Sequence, residues 1–383
     1  FPFTLKYIGK CAFDGCSGIT SLHLPDALQS IGDNAFFLCS GIVTLHLPDA
    51  LKTVGEEAFA GCTGIVDLHL PDTLRAIDNC AFDGCSGIVS LHLPDALETI
   101  GDFAFSECTG IVTLHLPDAL KTVGEEAFAG CTGIVDLHLP DTLRAIDNCA
   151  FDGCSGIVSL HLPDALETIG DFAFSECTGI VDLHLPDALE AVGRCAFDRC
   201  SGIVDIHLPD TLRAIGEDAF FGCSGIVALH LPDALRSIDN GAFQDCSGIV
   251  DLHLPDALEA IGDFAFSGCT GIVDLNLPDA LKTIGDRAFE NCSELTRVLA
   301  PDALVRGELA NPAMVFMGCP VLAGAGLTPY SAVPPLRRTL WHPTMHSWCT
   351  PGQRDRVLAV LVSELRSDRQ EEEEGVLPVL PHD

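Results

Sequence analysis

Ile42-Val43-Thr44-Leu45-His46-Leu47-Pro48-Asp49-Ala50-Leu51-Lys52-Thr53-Val54-Gly55-Glu56-Glu57-Ala58-Phe59-Ala60-Gly61-Cys62-Thr63-Gly64 is one unit of a pattern that begins again at Ile65. Cysteine marks the period most clearly, recurring every 23 residues from Cys16 and Cys39 through Cys269 to Cys292, with the surrounding sequence. One such unit cannot bury its apolar residues by itself, so the repeat predicts a solenoid whose core arises from stacking. Val43, Leu45 and Leu47 alternate with Thr44 and His46, the two-residue period of a strand with a buried and a wet face. Pro48 has no N–H to give a neighbour, so pairing is predicted to stop there after about five residues, and Pro48-Asp49 starts a turn. Gly55, replaced in other units by Asp78, Asp147 and Asp239, predicts a left-handed corner. Ala58, Phe59 and Cys62 are spaced to share one side of a helical turn, so Glu56 to Cys62 is expected to close the coil as a short helix or 3-10 turn. Gly64 follows, where a helix C-terminus favours a residue without Cβ. Thirteen strands about 4.8 Å apart predict a parallel sheet roughly 60 Å long.

The recurring Ile-Val-x-Leu-His-Leu-Pro-Asp-x-Leu-x-x-Ile-Gly-x-x-Ala-Phe-x-x-Cys resembles the BspA-type leucine-rich repeat, in its apolar-Pro step, its Ile-Gly step and its Ala-Phe-x-x-Cys. The resemblance runs from Pro2 to about Leu304, and a weaker unit ends in Phe316-Met317-Gly318-Cys319 and Leu322. Cys292 and Cys319 lie 27 residues apart, so this unit carries a four-residue insertion and is expected to cap the array. The implied fold class is an α/β repeat, a leucine-rich-repeat solenoid with one parallel β-sheet along the open face and short helical or 3-10 turns closing each coil. The Asn that follows the strand in the commonest leucine-rich repeats is missing, so no internal Asn ladder is expected. The resemblance implies a curved ligand-binding surface, with cell-surface adhesion as one use, although a fold alone does not carry a function.

Apolar residues make up 48% of the 383, but charge, Gly or Pro interrupts them every few positions, and no stretch approaches the roughly 20 apolar residues of a bilayer span. Membrane insertion is therefore not expected. Against 55 acidic side chains stand only 20 basic ones, a net charge of −35 that repels polyphosphates and argues against nucleic acid as a partner. Residues 320–383 are nearly balanced, with six arginines and eight acidic side chains, so the acidity belongs to the repeats. The opening Phe1-Pro2-Phe3-Thr4-Leu5 already fits the repeat and reads as a start in mid-unit.

The candidate binding residues lie on the wet side of the strands. His23, His46, His69, His92, His115, His138, His161, His184, His207, His230 and His253 share one position, with Asn276 next, and should form a column. Beside it a second column holds Asp67, Asp136, Asp182, Asp205, Asp251 and Asp274. Read plainly, these are exposed polar columns inherited with the repeat; read functionally, they are a ligand-binding face. Imidazoles about 4.8 Å apart disfavour joint protonation while the aspartates favour it, which predicts broad titration and a pH-responsive face. Histidines on one flat face offer no tetrahedral closure by themselves, so no metal site is assigned.

The periodic cysteines fall among buried apolar positions and read as small hydrophobes, a usage that leans towards a reducing compartment. Cys11, Cys80, Cys149 and Cys195 each precede a periodic cysteine by five residues, which on a helical turn separates the pair and argues against a zinc or redox site. No Gly-rich phosphate loop, nucleophile elbow or His-Glu-x-x-His helix occurs, so neither catalysis nor a cofactor is expected. Residues 41–112 recur unchanged as residues 110–181. Copying of solvent-facing residues favours extended or multivalent contact over a single unique site.

By this reading the solenoid occupies residues 1–322. A Pro-containing linker spans 323–349, an amphipathic helix 350–370 opens at Thr350-Pro351-Gly352-Gln353, and an acidic, Pro-containing tail fills 371–383. His342, His346 and Cys349 have metal-like spacing without a clear fourth ligand. Leu377-Pro378-Val379-Leu380-Pro381-His382-Asp383 is similar to the opening of F-box-like helices, which implies a substrate-receptor adaptor of a ubiquitin ligase. The leading expectation is a non-enzymatic scaffold that binds a protein or extended peptide on its open sheet face. The adaptor and a cell-surface adhesin are the alternatives, and neither ligand nor oligomeric state follows from the sequence.

Overall fold

The computed structural model describes residues 1–320 and 327–329. Most coils contribute a first-row strand of three residues, such as Thr44–His46 or Asp67–His69, in which a central leucine is buried between two exposed neighbours. Parallel pairing sets Leu45 beside Leu68 and His46 beside His69, so equivalent residues of successive coils are nearest neighbours. Nine residues on, Thr53–Val54 and its equivalents form a second row, paired in the same way to Ser30–Ile31. The architecture is a parallel-strand solenoid with two rows of very short strands. Among the described residues no helix is long and apolar enough to cross a membrane.

Three local expectations are corrected. The first-row strand is three residues long, because Val43 is not part of its in-out alternation. Ile42 takes the core position, and Val43 and Thr44 both face outward where the chain bends into the strand. Second, Glu56 to Cys62 is neither helix nor 3-10 turn, because its amides serve two coils. Ala58, Ala60 and Cys62 donate to carbonyls three residues back, closing tight turns, whereas Glu57, Phe59 and Gly61 donate to Asn79, Ala81 and Asp83 of the next coil at 3.1, 2.9 and 2.7 Å. A helix would keep all six donors within its own coil and leave the neighbour's carbonyls unpaired. Third, the left-handed residues are not at Gly55 but at Glu57, φ 54°, and Gly61, φ 70°, flanking the turn. Gly55 and Gly64 are small for another reason: a Cβ would stand 2.7 Å from the Asp33 nitrogen in one case and 2.5 Å from the Ser40 carbonyl oxygen in the other. Close approach of coils, not backbone handedness, selects glycine there.

The core is a set of columns. Phenylalanine rings stack without a break from Phe13 to Phe316, with centroids 5.1 to 5.7 Å apart and planes within 20°. The last of these rings belongs to the coil with the four-residue insertion, which is taken up around two single-turn helices, Asp302–Val305 and Pro312–Val315. Alongside the rings runs a thiol ladder. Cys62 Sγ donates to the Phe36 carbonyl at 3.2 Å, the oxygen that also accepts the Cys39 amide at 3.1 Å, and the arrangement repeats from Cys39 to Cys319. Each thiol thus satisfies the second lone pair of a buried carbonyl. Burial pushes the thiol pKa up, to about 12 at both Cys62 and Cys131. Cys80, Cys149 and Cys195 instead occupy the left-handed position, with φ of 52 to 54°. The sequence readings of a linker, a helix over 350–370 and a tail lie outside the described residues, except for a short strand at Leu327–Pro329.

Truncating one ring of the stack, Phe151→Ala, is expected to cost about 3–5 kcal/mol, as for other buried phenylalanines. Val158→Ala, on an exposed side chain, should shift the denaturation midpoint by less than about 0.5 kcal/mol. Chemical denaturation of both variants tests this, and equal effects would contradict the stacking. The Cys62 and Cys131 thiols, ordinarily ionising near 9.0, are pushed up to about 12 in the fold by burial. The folded state therefore holds more protons between these values, and stability complete below pH 9 falls as pH rises towards 12. Thermal midpoints measured from pH 8 to 11 check the sign.

Candidate functional site

The outward side of the first strand row carries three parallel columns. Position by position these are Val43, then Thr44, then His46, and the pattern returns in each coil. All eleven histidines, His23 to His253, are exposed, as are Asp67, Asp136, Asp182, Asp205, Asp251 and Asp274. In-register pairing brings His69 beside His46 and His92, and His138 beside His115 and His161. Ladder pairing is interrupted between the strands of His92 and His115, His207 and His230, and His253 and Asn276, so the first row is divided into four sheets. Neighbouring imidazoles respond unevenly: His69 stacks on His92 at 4.0 Å and His115 on His138 at 4.1 Å, whereas His184–His207 and His230–His253 stand 5.8 and 5.9 Å apart.

The chemistry along the face is set by what sits between the histidines. Where the middle column is serine, its hydroxyl lies against the imidazole of its own strand, 3.4 Å at Ser90–His92 and 3.3 Å at Ser159–His161. Serine is also small, and a shallow trough opens beside it, lined by Val89, Ser90, His92, Val112, Thr113 and His115. A similar trough opens three coils on around Ser159, with Asp182 in the place of Thr113. Where the middle column is aspartate, the carboxylate approaches the rings: Asp67 Oδ1 is 3.4 Å from His69 Nδ1 and 3.8 Å from His92 Nδ1. The strands from Ser21–His23 to Asp251–His253 contain no lysine or arginine. The first cation on the face is Arg297, whose fork holds Asp274, with Nε 2.7 Å from Oδ1, and lowers that carboxyl's pKa.

The exposed valines are what sequence reasoning missed. Val43, Val66, Val89 and their equivalents to Val273 are 39–55% exposed and make an aliphatic ridge beside the polar columns. Their recurrence was visible, but the strand alternation assigned them to the core. Beside the second row several cations pair between coils, as in Lys121 with Glu98, Arg144 with Glu167 and Lys282 with Glu259.

The family profile for the BspA type leucine rich repeat region matches residues 1–111, 75–204 and 190–309. Among solved structures, the chain is similar to a leucine-rich repeat protein from Bacteroides ovatus, with 28% identity and a TM-score of 0.71 over 82% of this chain and 87% of that one. It also matches a leucine rich cell surface protein from Faecalibacterium prausnitzii, with 21% identity and a TM-score of 0.49 over 81% and 84% of the two chains. A third match is the pneumococcal vaccine antigen PcpA, with 18% identity and a TM-score of 0.49 over 80% and 76%. No curated protein matches the chain.

Desolvation lowers the pKa of His230 below the ordinary 6.5, with His253 acting in the same direction and Asp251 opposing both. Its imidazole should accordingly titrate at a lower pH than a free histidine, and proton NMR of the ring across pH 5 to 8 reads this directly. A midpoint above 6.5 would mean that Asp251 outweighs desolvation.

Proposed function

The chain belongs to the BspA-type leucine-rich repeat family, and on that premise we propose that it is a non-enzymatic scaffold whose open sheet face docks an extended protein or peptide. The observation that carries this reading is the continuity of the face. An aliphatic ridge, a middle column containing the aspartates and a histidine column run side by side with no cation before Arg297. A surface that repeats the same three chemistries favours a partner that is itself extended, adding many small contacts rather than filling one pocket. Apolar side chains in the partner fit the troughs beside Ser90 and Ser159, and basic ones complement the aspartates. The unchanged repetition of residues 41–112 as 110–181 supports the same view, since a unique catalytic constellation gains nothing from being copied.

A displayed library of unstructured peptides, panned on the purified chain, tests the proposal. Recovered sequences should be enriched in spaced apolar and basic residues and should lose about tenfold or more in affinity to a Val158→Asn/Val181→Asn variant, which removes the aliphatic ridge without adding charge. Binding that persists in this variant but is lost when Lys121 and Arg144 of the second row are replaced would place the docking surface elsewhere and overturn it.

A further inference from the structure

One trio on the open face brings two imidazoles and a carboxylate within reach of a single ion. Asp67, His69 and His92 each offer one ligand atom, and the three atoms lie within 4.8 Å of one another. We infer that these residues form a binding site for a divalent transition-metal ion of the Zn²⁺ class, with the remaining coordination positions open to water or to a group on an incoming ligand. The site goes beyond the docking proposal, because it needs no protein partner to fill.

The backbone supplies the placement. Parallel pairing fixes Asp67 opposite Ser90, Leu68 opposite Leu91 and His69 opposite His92, so the three donors come from two adjacent strands anchored from below by the core. The distances suit the ion. Metal–nitrogen and metal–oxygen bonds of about 2.1 Å at tetrahedral angles put donors about 3.4 Å apart. Asp67 Oδ1 is already 3.4 Å from His69 Nδ1, and 3.8 Å from His92 Nδ1. The two rings stack within 12° of parallel, so their in-plane lone pairs must splay to converge on one point. That movement is open to them, since the imidazoles are 58% and 56% exposed. It displaces the contact between His92 Nδ1 and the Ser90 hydroxyl at 3.4 Å, a modest cost for an exposed group.

The donor set selects the metal. Two neutral imidazoles and one carboxylate match Zn²⁺, Ni²⁺ or Cu²⁺, whereas Ca²⁺ and Mg²⁺ call for oxygen alone. Three protein ligands with an open position is the donor number of an accessible zinc site, which removes the need for all four ligands on one flat face. Asp67 also distinguishes this trio from the His23–His46 pair, where the strand residues beside the rings are Ser21 and Thr44 and no carboxylate joins them. The duplicated segment repeats the trio as Asp136, His138 and His161 in the same register, with the His138 ring turned to stack on His115 instead. The ion site is thus a rotamer choice laid over a fixed backbone.

Zn²⁺ alone, titrated into the full chain carrying Cys11→Ser and Cys16→Ser, the exposed thiols among the described residues, and Cys349→Ser, tests the inference by proton NMR of the imidazoles. His69 and His92 should shift together with one midpoint, at a Zn²⁺ concentration about tenfold or more below that needed by His23 and His46. Asp67→Asn should erase that advantage. Circular dichroism confirms that each variant keeps its fold. Separate midpoints for His69 and His92, or a response no stronger than that of His23 and His46, would overturn the site.

Discussion

Among the described residues, the columns of the core set each phenylalanine, strand leucine and periodic cysteine beside its counterpart one coil away. That constraint governs the rest, because a residue that packs against itself must have a self-complementary shape and a hydrogen-bonding pattern that continues indefinitely. Phenylalanine meets it by offset stacking, leucine by strand pairing, and cysteine by donating its S–H to the carbonyl of the coil before. The closing turn meets it by dividing its amides, half inward to tighten the coil and half outward to the next. Stability then accumulates interface by interface rather than around one centre.

The same rule explains why the thiols are there. An alanine in place of Cys62 would leave one lone pair of the Phe36 carbonyl unmet in a dry interior, and a valine would crowd the adjoining coil. Burial that raises the thiol pKa also keeps it protonated, and only the protonated form can donate. Reactivity and structure are therefore opposed in these residues, which act as hydrogen-bond donors of apolar size.

Much of this was legible from residue spacing. The 23-residue period, the buried Ala58-Phe59 and Cys62 columns and the outward histidines follow from position alone. What failed did so where two coils share one requirement. The spacing of Ala58, Phe59 and Cys62 is consistent with a helical turn, and nothing within a single unit reveals that the alternate amides belong to the neighbour. Val43 looked buried because it alternates with Thr44, yet Ile42 had already claimed the core. Gly55 and Gly64 were read for backbone handedness when their role is to let the preceding coil pass. The Asp67–His69–His92 grouping spans two units, so it becomes visible only when Leu68 is set beside Leu91. The columns were readable one at a time, and the distances between them were not.

Two stretches of the array, residues 41–112 and 110–181, are the same sequence displaced by three coils. Because each coil touches only its neighbours, removing or inserting such a block joins surfaces that were already partners. Chain length is thereby uncoupled from folding: recombination within the gene can lengthen or shorten the molecule in whole-coil steps without creating a single untried interface. Reach, and the number of copies of each surface group, become quantities that evolution can set by counting.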